Sequence, residues 1–148
     1  MPVEVDRAAP AFAEKQAFIE APRGRVWELL GGIDDWSRWQ SGVSKARLEG
    51  PLEAGSPFRF KAGGMSITST LSEVTPPFHI AWKGKAVGLR AIHSWHLYEQ
   101  TGGTVAMTAE SFDGPLARLL RPLMQRILTR ALEDGLDDLR REAETPRQ

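Results

Sequence analysis

The sequence predicts an α+β fold: a curved seven-stranded antiparallel sheet wrapped around one long C-terminal helix, with two short helices between strands 1 and 2. Two observations carry that prediction. Between Val43 and Ser111, apolar and polar residues alternate with period two in short segments punctuated by Gly and Pro. From Pro115 to about Arg141 the spacing changes to three and four and stays helical. At 148 residues, 41% of them apolar, the chain has material for one core, and residues 14–144 read as a single domain.

The elements follow in order. Lys15 to Glu20 alternates as a strand. Ala21-Pro22 then opens a helix carrying Val26, Trp27, Leu29 and Leu30, with proline where its missing N–H costs nothing and Gly31-Gly32 as the stop. Asp34 to Trp39 makes a second short helix with an acidic cap. Strands are expected at Val43–Leu48, Pro57–Lys61, Ser66–Val74, His79–Gly84, Leu89–Glu99 and Thr104–Ser111, the last two joined by a hairpin turn at Gln100–Gly103. The long helix follows, with a kink expected at Pro122. Residues 1–13 read as a mobile leader and residues 145–148 as a frayed tail.

Composition excludes several function classes. Nineteen basic residues cancel nineteen acidic ones, so no overall field recruits nucleic acid or anionic lipid. The absence of cysteine removes disulfides, thiolate catalysis and cysteine metal sites. No apolar run is long enough to span a membrane, and the first residues lack the apolar stretch of a secretory signal. The expectation is a cytoplasmic protein, and the preference for Arg over Lys suggests a bacterial source.

Simple lengths say more. Seven strands span roughly 30 Å, whereas a helix is about 10–12 Å across. One helix cannot cover a flat sheet of that width, so the sheet must curl around it. Such a wrap tends to leave an internal gap, and an empty gap costs on the order of 24 cal/mol per Å³. A gap kept against that cost suits a ligand.

Periodicity then assigns inward faces. Leu89, Ala91, His93, Trp95 and Leu97 share the more apolar side of their strand; Phe58 and Phe60, Ile67, Ser69 and Leu71, Ile80 and Trp82, and Val105, Met107 and Ala109 are placed inward likewise. On the long helix, Leu116, Leu119, Leu120, Leu123, Met124, Ile127 and Ala131 form one stripe. A pocket for a flat apolar ligand is expected from Trp39, Phe60, Trp82, His93, Trp95, Met107, Leu120, Met124 and Ile127.

Other chemistry finds little support. His93 and His96 are an odd number of residues apart on one strand and face opposite ways, so no metal site is expected, and no phosphate-binding glycine motif implies a cofactor. His93 is the one titratable side chain placed on the inward face of its strand: a core imidazole, a polar contact for a ligand, or a catalytic proton shuttle. Glu110 and Asp113 read as a strand-end charge and a helix cap. Arg118, Arg121, Arg126 and Arg130 read as a solvated face, with room for a homodimer contact, rather than as a nucleic-acid or membrane patch, since one face of the helix is buried.

The motifs resemble a known family. Ile19-Glu20-Ala21-Pro22, Val26-Trp27-Glu28-Leu29-Leu30 and Trp36-Ser37-Arg38-Trp39 are similar to the opening of the polyketide cyclase/dehydrase-like branch of the START-like (SRPBCC) helix-grip superfamily. The resemblance continues through Leu48-Glu49-Gly50-Pro51-Leu52, Glu73-Val74-Thr75-Pro76-Pro77, Trp82-Lys83-Gly84, His93-Ser94-Trp95, Gly103-Thr104-Val105 and Glu110-Ser111-Phe112-Asp113-Gly114. It implies the helix-grip fold and a ligand container, but carries over no catalytic residue. Three functions stay open: a carrier or sensor for a small hydrophobic or aromatic molecule, which is the leading expectation; a polyketide cyclase or dehydratase using His93; and a partner-binding protein with a closed core.

Overall fold

The computed structural model describes residues 4–146. The outermost residues of the expected leader and tail, 1–3 and 147–148, lie outside this range. Seven strands, β1 (Ala11–Ile19), β2 (Val43–Leu48), β3 (Pro57–Ala62), β4 (Met65–Thr75), β5 (His79–Ala86), β6 (Leu89–Gln100) and β7 (Gly103–Asp113), form one antiparallel sheet in the order β1-β7-β6-β5-β4-β3-β2. Helix α1 (Arg23–Gly31), a 3-10 turn (Ile33–Asp35) and α2 (Trp36–Trp39) fill the connection between β1 and β2. After β7 come α3 (Pro115–Leu119) and α4 (Arg121–Glu144). This is the helix-grip arrangement.

Strand β1 begins at Ala11, four residues before the alternation suggested, because Ala11 and Ala13 pack inward while Phe12, Glu14 and Gln16 alternate on the other side. Before it, the Asp6 N–H donates to Ser111 Oγ at 3.1 Å. The second short helix has no side-chain cap; Asp34 instead accepts the Leu48 N–H at 2.7 Å and ties the turn to β2.

The long helix is not continuous. Leu120 leaves helical geometry at φ −119°, ψ 46°, and Pro122 sits in the first turn of α4. Proline in a helix interior would lose a hydrogen bond and clash with the preceding turn, whereas at a helix start it does neither. The chain therefore ends one helix and begins another instead of kinking. The restart also shifts the buried stripe. Met124, Leu128, Leu132, Leu136, Leu139 and Ala143 pack inward, whereas Leu119, Leu120, Leu123 and Ile127, expected inside, are exposed.

The core falls into two clusters. The larger gathers Val26, Leu30, Ile33, Trp36, Phe58, Trp82 and Trp95 with the C-terminal part of α4. Trp36 is its hub: its indole N–H reaches the Leu30 carbonyl at 3.0 Å, and its ring meets Phe58 edge-on with centroids 5.5 Å apart. The smaller holds Ala11, Ala13, Ala117, Met124, Leu128 and Leu132.

Candidate functional site

The Gln100–Gly103 pair closes the β6–β7 hairpin and fixes its register, so His93 lies opposite Glu110 and Trp95 opposite Thr108. Directly opposed residues of antiparallel strands share a face. One inward row therefore crosses five strands: Leu71, Trp82, His93, Glu110 and Ala13. By the same register Thr104, Ala106, Thr108 and Glu110 point inward. Val105, Met107 and Ala109 do not, contrary to the expectation from their greater apolarity. Met107 accordingly leaves the predicted pocket for the outer face, opposite His96 and Gln16.

His93 and Glu110 form the polar centre of the inner face. The Thr108 hydroxyl donates to the Ser94 carbonyl at 3.1 Å, leaving its oxygen free to accept His93 Nε2–H at 2.8 Å. That fixes the proton on Nε2 and leaves Nδ1 as an acceptor, 3.5 Å from Glu110 Oε1. Burial holds the His93 imidazole down to about 3 and pushes the Glu110 carboxyl up to about 8. Both groups are therefore neutral near pH 7. A neutral carboxyl is a donor, so proton positions run in one direction: Glu110 O–H toward His93 Nδ1, His93 Nε2–H to Thr108, Thr108 O–H to Ser94.

Both side chains retain 15% of their surface accessible although each lies within its strand on the inner face. The next inward row explains this. Ser69, Gly84, Ala91 and Ala11 stand there with Phe112, four small residues beside the pair. Ser69 Oγ is buried without a hydrogen-bond partner among the described residues, as is Trp39 Nε1. Buried polar atoms are normally paired, so these two are exceptions.

The remaining predicted lining residues divide. Trp82 and Trp95 flank His93, with ring centroids 4.7 and 5.8 Å from the imidazole. Phe60 packs half-buried against Trp36. Trp39 is buried in the larger cluster and Met124 in the smaller. Leu120, just before α4, and Ile127, on it, are exposed to solvent and stand outside the expected pocket.

Glu110, expected as a strand-end charge or as one of a carboxylate pair with Asp113, instead faces inward opposite His93. Asp113, three residues on, faces the other way: its carboxylate accepts the Gly114 N–H at 2.7 Å and Arg118 Nε–H at 3.1 Å, which together hold it below the usual carboxylate range. His96 also faces outward, stacked on His79 with centroids 4.0 Å apart. Among the described residues, no group of three or more His, Asp or Glu side chains is placed to hold a metal ion.

Comparison with known proteins agrees with the fold. The family described as "Polyketide cyclase / dehydrase and lipid transport" matches residues 11–144. No functionally curated protein matches the chain. Among solved structures, a hypothetical protein from Helicobacter pylori superposes with TM-score 0.83 at 17% identity, over 95% of this chain and 92% of that one. The ZhuI aromatase/cyclase from Streptomyces gives TM-score 0.78 at 17% identity, over 90% and 93%. The di-domain ARO/CYC protein BexL, from the BE-7585A biosynthetic pathway, gives 0.73 at 16%; the match covers 92% of this chain and 50% of that protein. At these identities the likeness is one of fold.

Proposed function

The chain belongs to the polyketide cyclase/dehydrase and lipid transport family, and from that premise we propose that it is a cytoplasmic carrier or sensor for a small hydrophobic or aromatic molecule, held between the inner face of the sheet and α4. One observation supports this reading above the others: the neutral His93–Glu110 pair stays partly accessible beside a row of small side chains. The flanking indoles Trp82 and Trp95 offer flat apolar surface. His93, Glu110 and Ser69 offer a few fixed polar atoms, the usual make-up of a small-molecule site.

Native mass spectrometry of freshly purified protein tests the reading, together with thermal shift and tryptophan quenching against naphthols, anthraquinones and flavonoids. At a hundredfold excess over Kd, a ligand bound only by the folded state stabilises it by about 2.7 kcal/mol. No co-purified molecule, no thermal shift and no quenching across the panel would overturn the proposal.

The second reading, a cyclase or dehydratase, is favoured by the contact between His93 and Glu110, since an acid and a base at 3.5 Å can move a proton. His93→Gln separates the two. In a carrier it weakens binding by about 0.5–1.5 kcal/mol, one neutral hydrogen bond. In an enzyme, binding survives while turnover falls about 10²–10⁴-fold.

A further inference from the structure

Arg118, Arg121, Arg126 and Arg130 give Pro115–Arg130 four cations and no acid, and the function proposed above leaves them unused. The solvent side of the same segment also carries apolar side chains. Leu119 is 80% exposed, Ile127 47%, Leu123 44% and Leu120 37%. A second element joins them at that end of the molecule: Leu116 N–H donates to the Gly88 carbonyl at 3.1 Å, seating α3 on the β5–β6 turn, where Val87 is 92% exposed. Single exposed apolar side chains are ordinary, but a cluster built from two elements marks an interaction surface.

The charges around the cluster say what it fits. Arg121, Arg126 and Arg130 make no ion pair with another described residue, and Lys85 and Arg90 flank Val87 on β5 and β6. Asp113, the acid nearest α3, is already engaged by Gly114 and Arg118, and Arg90 lies 3.8 Å from it. The acidic half of α4 starts at Glu133, one turn beyond Arg130, and leaves Arg118 and Arg121 farthest from any acid of the helix. Apolar side chains rimmed by cations match the surface of an anionic lipid bilayer, where the former enter the headgroup region and the latter meet phosphates. A second copy of the chain fits less well, because two-fold pairing on this patch would set like cations against each other.

We propose that this end of the protein docks on anionic lipid surfaces, with Val87, Leu119, Leu123 and Ile127 entering the interface and Arg121, Arg126 and Arg130 pairing with lipid phosphates. The proposal does not depend on whether the inner face holds a ligand.

Co-sedimentation of the full chain with vesicles tests it. Binding is expected to vesicles containing about one third phosphatidylglycerol, at least about tenfold weaker to pure phosphatidylcholine, and weaker as salt rises. The Leu119→Ser/Leu123→Ser pair should each replace exposed side chains without unfolding the protein, which circular dichroism and Tm verify, and should cut binding about tenfold or more. Arg121→Gln/Arg126→Gln should act alike and flatten the salt dependence. Any of these results would overturn the proposal: no binding to the anionic vesicles; equal binding by the variants; or a dimer in sedimentation velocity that Leu119→Ser/Leu123→Ser dissolves, which would give the patch to a second copy. Tighter binding to poly-glutamate than to vesicles would assign it to an acidic protein instead.

Discussion

His93 Nδ1 stands 3.5 Å from Glu110 Oε1 on the inner face of the sheet, and both groups are neutral near pH 7. The pair makes stability depend on pH in a specific way. Glu110 titrates at about 8 in the folded state against 4.5 ordinarily, so its contribution is complete below 4.5 and lost as pH rises toward 8. His93 titrates at about 3 against 6.5, so its contribution is complete above 6.5 and lost as pH falls toward 3. Between pH 4.5 and 6.5 the folded and unfolded pair each hold one proton, and the two slopes cancel. From 6.5 to 8 the folded pair holds one proton more, and stability falls with at most about 1.4 kcal/mol per pH unit. Urea titrations across pH, wild type against His93→Gln/Glu110→Gln, should differ by a plateau with a fall on each side. A difference that is flat from pH 3 to 9 would refute the burial of both groups in their neutral forms.

Asp138 offers a second prediction. It is an acid in the polar half of α4 by sequence, yet it is 6% exposed and accepts from Ser41 N at 2.9 Å, Ser41 Oγ at 3.0 Å and Arg141 at 3.1 Å. Asp138→Ala leaves the Ser41 donors unpaired and should cost about 1.5–3 kcal/mol, the worth of a charge-assisted hydrogen bond. Asp138→Asn keeps one acceptor and should fall between. Chemical denaturation of both variants checks the order.

Two glycines should respond with opposite signs. A Cβ on Gly103 would press into the Ile19 carbonyl and the Phe18 ring across the β1–β7 junction. Neither the backbone nor the ring can yield without breaking that register, so Gly103→Ala should destabilise by about 3 kcal/mol. Gly135, inside α4, has open space around its Cβ position, and Gly135→Ala should stabilise by about 0.5–1 kcal/mol. Midpoints in guanidinium chloride for the two variants test both signs.

The strands and their sheet were legible because alternation reports a half-buried strand directly, and His93 was legible for the same reason. Glu110 was hidden by an apolarity comparison within one strand: Val105, Met107 and Ala109 outscore Thr104, Thr108 and Glu110, yet the latter face inward. The missing constraint lay in the hairpin. With Gln100 opposite Gly103, counting back pairs Leu97 with Ala106 and His93 with Glu110, so the face of β6 dictates that of β7. The helix failed differently. Leucines on both sides of Pro122 fit one continuous stripe, and the break at Leu120 rotates the second helix so that Leu123 and Ile127 leave it. Asp138 could not be found at all by composition, since its partner Ser41 is far away in sequence.

The last prediction concerns how α4 closes the sheet. β1 is an edge strand, and an unpaired edge is a liability. Gln125 covers it by acting as a surrogate strand: its Oε1 accepts Phe12 N–H at 2.9 Å and its Nε2 donates to Phe12 O at 2.6 Å. Gln125→Leu removes both bonds and should cost about 1–3 kcal/mol, the penalty for part-buried backbone groups left unpaired. It should also speed amide exchange at Phe12 more than at Thr108 within the sheet. Gln125→Glu gives a sharper test, because a carboxylate can accept from Phe12 N–H but would repel the Phe12 carbonyl. Protonation restores the missing donor. Glu at this site should therefore have a folded pKa above its ordinary value, so its deficit relative to wild type should be small at pH 4 and grow as pH rises to 7. A deficit independent of pH would show that the amide donor to Phe12 contributes nothing, and that packing alone holds α4 against the edge.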